Sequence, residues 1–230
     1  MIFTRRMDDS SNAPRTEAPP PVKPRLRGVS HEIAAFVSPV LGLVLVALAP
    51  TTSVRWAALV YTVGLTSMYA TSALYHRGHW SSAVRLRLRR LDHSMIMVAI
   101  ASTYTPVAVA ALDAGSARVL LGVVWSLAVV GIGIQLLWLN APRWLVATLY
   151  IAIGWTAVAF APTLWRDLGV ISFSLLVIGG IVYSLGAVVY ATRRPDPAPA
   201  VFGYHEVFHV LVIAAGLVFY AAIVRVVVTA

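Results

Sequence analysis

Hydrophobic and polar residues fall along this chain in long blocks rather than alternating residue by residue. Residues 1–28 hold no apolar run and carry Pro14, Pro19, Pro20, Pro21 and Pro24, so they cannot bury a core and are expected to form a disordered tail. The tail also lacks the apolar stretch of a cleaved signal peptide, which leaves targeting to the first span. Seven apolar stretches follow, at roughly 31–49, 54–76, 92–112, 118–139, 143–161, 169–192 and 205–226. Each is near the ~20 residues that carry a helix across a hydrocarbon core. Short polar breaks separate most of them, such as Pro50-Thr51-Thr52, Asp113-Ala114-Gly115, Asn140-Ala141-Pro142 and Pro162-Thr163. The pattern predicts an all-α, polytopic membrane protein: a seven-transmembrane-helix bundle over 29–230 behind a cytoplasmic tail.

Composition strengthens that reading. The chain is 59% hydrophobic and only 12% charged, with a mean hydropathy of +0.81, far more apolar than a soluble domain of 230 residues requires. Cysteine is absent, which excludes disulfides, thiolate metal sites and a cysteine nucleophile. A net charge of +9 raises the question of nucleic acid, but the basic residues flank apolar spans, where anionic lipid headgroups attract them. Membrane lipids are therefore the expected partners, with no nucleic acid, in a plasma (inner) membrane.

Charge also orients the bundle. With the N-terminus cytoplasmic, that side takes fourteen of the eighteen Lys and Arg residues, leaving only Arg55, Arg118, Arg166 and Arg225 opposite. Seven crossings then put the C-terminus outside. A rhodopsin-type receptor has the reverse orientation, and a retinal protein needs a lysine in its last helix; the lysine here is Lys23, in the tail.

Ionisable groups are rare and costly in a membrane, so their positions matter. His76 falls at the cytoplasmic end of helix 2, Asp92 at the start of helix 3, and His205 and His209 in the first turns of helix 7. Residues four apart share a helix face, which pairs His205 with His209 and Ser72 with His76. All of these lie within about two turns, roughly 10 Å, of the cytosolic face. Three imidazoles and a water form the open arrangement of a catalytic-type zinc site, so His76, His205 and His209 are the expected Zn2+ ligands. Asp92 would orient a ligand or the metal-bound water and serve as base, and Ser72 would donate a hydrogen bond.

Each residue also has a plainer reading. Asp92 is a suitable N-cap for helix 3, Glu206 suits the positive end of helix 7, and His31-Glu32 suits interfacial anchoring, with contact to the site as the lesser alternative. His79 and His93, beside the basic loop 77–91, read as solvated or lipid-facing. Trp56, Trp144 and Trp165 read as interface-belt residues, and Pro106 and Gly179-Gly180 as packing and kink features. His205-Glu206-Val207-Phe208-His209 spells the H-E-x-x-H of zinc proteases, but no acid follows Glu206 to complete such a site.

With these residues in view, the chain resembles the progestin and adipoQ receptor family, specifically its bacterial hemolysin III branch. Ser72-Ala73-Leu74-Tyr75-His76 is similar to the family's S-x-x-x-H, and Leu91-Asp92-His93-Ser94 to its helix 3 opening. Ser102-Thr103-Tyr104-Thr105-Pro106 is similar to the branch's G-T-Y-T-P, with serine in place of the glycine, and the stretch from Gly203 to His209 carries its H-x-x-x-H. Where many bacterial members have a further histidine deeper in helix 7, this chain has Leu217-Val218-Phe219-Tyr220. The resemblance implies a seven-helix bundle, an inside N-terminus and zinc on His76, His205 and His209. Its members include receptors, ceramidase-like hydrolases and bacterial hemolysins or membrane-homeostasis proteins. Three functions follow as expectations: a lipid-active, zinc-dependent amide or ester hydrolase in membrane homeostasis, a pore-forming cytolysin, or a receptor-like protein with structural zinc.

Overall fold

A computed structural model describes residues 23–138 and 141–230. Among them the elements are helical: α1 Val29–Leu48, α2 Thr52–Arg77, α3 Ser82–Ala111, α4 Ala114–Leu137, α5 Arg143–Gly154, a 3-10 turn Thr156–Phe160, α6 Ala161–Thr192 and α7 Tyr204–Val228. Local chemistry sets several of the ends. Thr51 Oγ1 accepts from Val54 N to cap α2, and Asp113 Oδ1 accepts from Gly115 and Ser116 N to cap α4. The bonds from Ser116 and Gly115 hold the Asp113 carboxyl below the usual range. At α7, Glu206 Oε2 accepts from Gly203 N at 2.8 Å, the returning half of a capping box.

Three expectations change. The basic stretch expected as a loop over 77–91 is largely helix, because α3 begins at Ser82. Arg and Leu are strong helix formers, and Arg85-Leu86-Arg87-Leu88-Arg89-Arg90 offers no Gly or Pro to stop them. Asp92 therefore lies in the third turn of α3 and cannot be its N-cap. Of the expected tail, 1–22 lie outside the described residues, whereas Arg25 N and Leu26 N donate to the carbonyls of Ala200 and Val201, joining this segment to the α6–α7 loop.

The third change concerns the spans. Among the described residues, six helices or helical runs are long and apolar enough to cross a membrane; the expected spans 143–161 and 169–192 fall within one run, Arg143–Thr192. The expected break at Pro162-Thr163 is helical; Pro162 sits in the first turn of α6, where its missing N–H costs no hydrogen bond. At 12 residues α5 rises only about 18 Å, short of a ~30 Å hydrocarbon core. The run also folds back on itself. Gly169, at φ +68°, breaks α6, Trp155 Nε1 donates to Ser184 Oγ at 2.9 Å, and the Arg143 guanidinium lies 5.9 Å from the Tyr190 ring centre. Tyr104 of α3 holds the join: its hydroxyl donates to the Gly154 carbonyl and accepts from Ala157 N.

The bundle turns apolar side chains outward and many polar ones inward. Phe36, Val40 and Leu43 of α1 and Val129 of α4 are largely exposed, a surface that lipid rather than water suits. Thr62, Ser72, Ser102, Thr105 and Gln135 are buried between helices. Close approach of α2 to its neighbours rests on small residues, since helices in lipid associate by packing rather than by hydrophobic exclusion. A Cβ on Gly64 would lie 2.3 Å from Ser102 Oγ of α3. Gly64→Val should lower the stability of the protein in detergent by about 1–3 kcal/mol through overpacking, read as a drop in melting temperature. Gly122→Val, whose Cβ meets nothing within 4 Å, should leave it unchanged.

Candidate metal centre

His76 lies in the last turn of α2, and His205 and His209 occupy the first two turns of α7. All three are buried, and one ring nitrogen from each lies within 4.8 Å of the others. The Nε2 atoms of His76 and His205 stand 3.0 Å apart. A neutral imidazole has one N–H and one lone pair, so two facing nitrogens need a shared proton or a cation between them. A third imidazole cannot join one shared proton. His209 Nδ1 is buried without a hydrogen-bond partner. This donor set, all nitrogen and converging from two helices, suits a borderline transition metal.

The chain before α1 makes room for the cluster. Gly28 adopts the left-handed region at φ +80°, and a Cβ there would come 2.7 Å from His76 Cβ. Arg27 is thereby brought onto the buried Glu206 carboxylate, at Oε1. The same carboxylate accepts from Gly203 N, so one acid anchors the segment before α1 to the start of α7. Glu32 pairs at 2.8 Å with Arg77, the residue after His76.

Asp92 and Ser72 come to the same end of the bundle. Asp92 Oδ2 is 3.8 Å from His76 Nε2, beyond hydrogen-bond range but wide enough for a bridging oxygen. That Nε2 is also the atom facing His205, so Asp92 stands on the inner side of the imidazole ring, not behind it. Ser72, one turn before His76, lines the same cavity as Asp92.

That cavity has a volume of about 180 Å³ and runs between α3, α5, α6 and α7. Its walls follow α3 from Asp92 to Val107 and α7 from His205 to Phe219, roughly 20 Å of each helix. Ser72, Asp92, His31 and His205 line its polar end; Leu164, Phe173, Val212 and Phe219 are among the apolar residues beyond.

Two histidines differ from their expected places. His31, expected chiefly as an interfacial anchor and only secondarily at the site, is 2% exposed and stacks on His209 with ring centres 3.8 Å apart and planes within 7°. Neither of its ring nitrogens has a hydrogen-bond partner. His93, expected in solvent or lipid, lines the cavity, and its carbonyl accepts from Tyr150 Oη. One signal for His31 lay in the sequence, its position in the first turn of α1 at the same end as His76. His79 is exposed, as expected, and so are Trp56, Trp144 and Trp165.

Comparison with known proteins agrees with this architecture. Residues 21–220 match the family described as "Haemolysin-III related". The chain is 33% identical over 171 residues to Hemolysin-3 of Bacillus cereus, covering 72% of this chain and 77% of that protein. It is 33% identical over 135 residues to the Hemolysin-3 homolog of Bacillus subtilis (strain 168), covering 59% and 63% respectively. It is also similar to a plant protein, the Heptahelical transmembrane protein ADIPOR2 of Oryza sativa subsp. japonica, at 31% identity over 185 residues, 74% of this chain and 81% of that one. Helical throughout its described residues, with six membrane-length apolar runs among them, and matching along most of its length, the chain belongs to the hemolysin III and progestin and adipoQ receptor family, as a multi-pass membrane protein, which in bacteria is a protein of the plasma membrane.

Proposed function

We propose that this protein binds zinc through His76, His205 and His209 and uses it to hydrolyse an amide or ester bond in a membrane lipid, as part of membrane lipid homeostasis. The observation that carries the reading is the place of the three imidazoles, buried together at the polar end of a long apolar cavity. Nitrogens on a tetrahedral zinc, at bonds of about 2.0–2.1 Å, sit roughly 3.3 Å apart. The observed 3.0 Å between His76 and His205 and the 4.8 Å limit for the set need only small side-chain shifts to meet that geometry. A zinc ion would supply a bound water of near-neutral pKa. Asp92, on the inner side of His76, accepts the proton of the attacking water at its carboxylate and later returns it to the leaving group. Ser72 donates a hydrogen bond toward the substrate carbonyl, and the apolar walls from Ile96 to Phe219 hold an acyl chain and exclude water.

The site lies beneath the inner leaflet surface in this reading, with the N-terminus cytoplasmic, seven crossings and the C-terminus outside. The Lys and Arg distribution supports the orientation. The contacts of Arg143 with Tyr190 and of Trp155 with Ser184 support treating Arg143–Thr192 as two antiparallel crossings.

Purified protein is expected to carry about one zinc per chain, and His76→Ala, His205→Ala or His209→Ala to lose most of it, measured by elemental analysis beside melting temperature. Asp92→Asn should keep its zinc yet lose roughly 10²–10⁴-fold in lipid amidase or esterase turnover; turnover at the parent rate would remove the catalytic role. Liposome leakage that persists in His76→Ala would instead favour the cytolytic activity in the relatives' names. Because the chain has no cysteine, topology is testable by single introduced thiols. In intact cells a membrane-impermeant maleimide should label Ala114→Cys, whereas Ser82→Cys should react only after permeabilisation.

A further inference from the structure

The metal centre has a second approach that the lipid-hydrolase reading does not use. Against His76 and His205 lies a vestibule of about 440 Å³ with mainly polar walls. Arg27, Arg85, Arg89, Arg143, Tyr190 and Tyr204 line it, and among the described residues no carboxylate does. The four guanidinium groups come from three places in the chain. Arg85 and Arg89 are four apart on one face of α3, Arg143 opens α5, and Arg27 precedes α1. A preference for basic residues on one membrane side accounts for their depth, but not for their convergence on a single cavity.

These cations are also unevenly matched. Among the described residues, Arg27 pairs with Glu206, Arg77 with Glu32 and Arg166 with Asp167, while Arg85, Arg89 and Arg143 have no carboxylate within 4 Å. Arg143 is held in place: its Nη1 donates to Tyr204 Oη at 3.4 Å, and its guanidinium faces the Tyr190 ring. The positive field reaches Lys23, whose ammonium is pushed below its usual range by partial burial first, then by Arg85, Arg77 and Arg27. Guanidinium groups and phenolic hydroxyls around a polar void form a donor set for a phosphate oxyanion, and Arg can bind such an anion in a bidentate fork.

We propose that this vestibule binds a phosphate group, and that the phosphate belongs to the head of an anionic lipid whose acyl chain lies in the apolar cavity. His93, Tyr190 and His205 line both cavities, so the two adjoin there. A head among the arginines and a chain along α3 and α7 set the linkage between them beside His76 and His205. This names a substrate class for the hydrolase reading and rests on that reading only for turnover, not for binding. A lipid with a neutral head leaves three arginines unmatched and is the poorer ligand.

The test measures binding of an ether-linked lysophosphatidic acid, which has no ester to hydrolyse, to the full-length protein in uncharged detergent. The matching alkylglycerol, lacking the phosphate, is the neutral control. At low salt the phosphate-headed lipid should bind at least about tenfold tighter, and the gap should narrow as ionic strength rises. Arg89→Gln and Arg143→Gln should each shrink that preference several-fold, Arg89→Lys should retain part of it, and Arg166→Gln should leave it unchanged. Zinc content and melting temperature of each variant report that it has folded. Inorganic phosphate that competes at millimolar concentration assigns the site to soluble phosphate as well, whereas competition by the lipid alone assigns it to the headgroup. Equal affinity for the two lipids, or a preference untouched in folded Arg89→Gln and Arg143→Gln, overturns the proposal. Because no bond is cleaved in this assay, loss of the headgroup preference and absence of hydrolysis remain separate results.

Discussion

In a helical bundle whose outer surface must suit lipid, a polar side chain that faces inward has no water to fall back on, and its partners must come from other helices. That constraint governs this protein most sharply at the end where α2 meets α7. Three imidazoles are buried there with nitrogens close enough to face one another. One shared proton satisfies His76 and His205 but not His209. A cation held by all three would satisfy them together, and the three could form a metal site. The surrounding contacts serve the same end: Gly28 permits close approach to His76, and Glu206 ties both Arg27 and the α7 backbone into position.

The site also divides polar from apolar space. Beyond His205 and Asp92 the cavity is lined mostly by aliphatic and aromatic side chains, whereas the adjoining vestibule is lined by arginine and tyrosine. An amphiphile placed as proposed would meet both environments at once, with the change of polarity falling at the imidazoles. This makes the geometry more informative than the histidine cluster alone, because a purely structural metal requires neither a long apolar channel nor a cationic mouth. His31 stacks on His209, the one of the three imidazoles whose Nδ1 is buried without a hydrogen-bond partner.

Particular residues show how far linear reading goes. His76, His205 and His209 are legible in the sequence because helical spacing and span depth both put them at one end. Asp92 is legible as a neighbour of the site but not as a mid-helix residue, since α3 starts at Ser82, ten residues before it, through a stretch whose charges resemble a loop. The break expected at Pro162-Thr163 is not a break, because proline is compatible with the first turn of a helix; the chain yields instead at Gly169, where φ is +68°.

The linear chain is enough to set the class of protein and the depth of its polar residues. Both follow from the length of apolar runs and the positions of charges, which are properties in one dimension. The rotation of each helix about its axis is a matter of three-dimensional packing alone. These helices are apolar on most of their faces, so no linear pattern announces which face turns inward. Packing between helices, such as Gly64 of α2 against Ser102 of α3, sets that rotation. It places His31 on His209, sets Asp92 on the inner side of His76, and gathers arginines from three distant segments around one cavity.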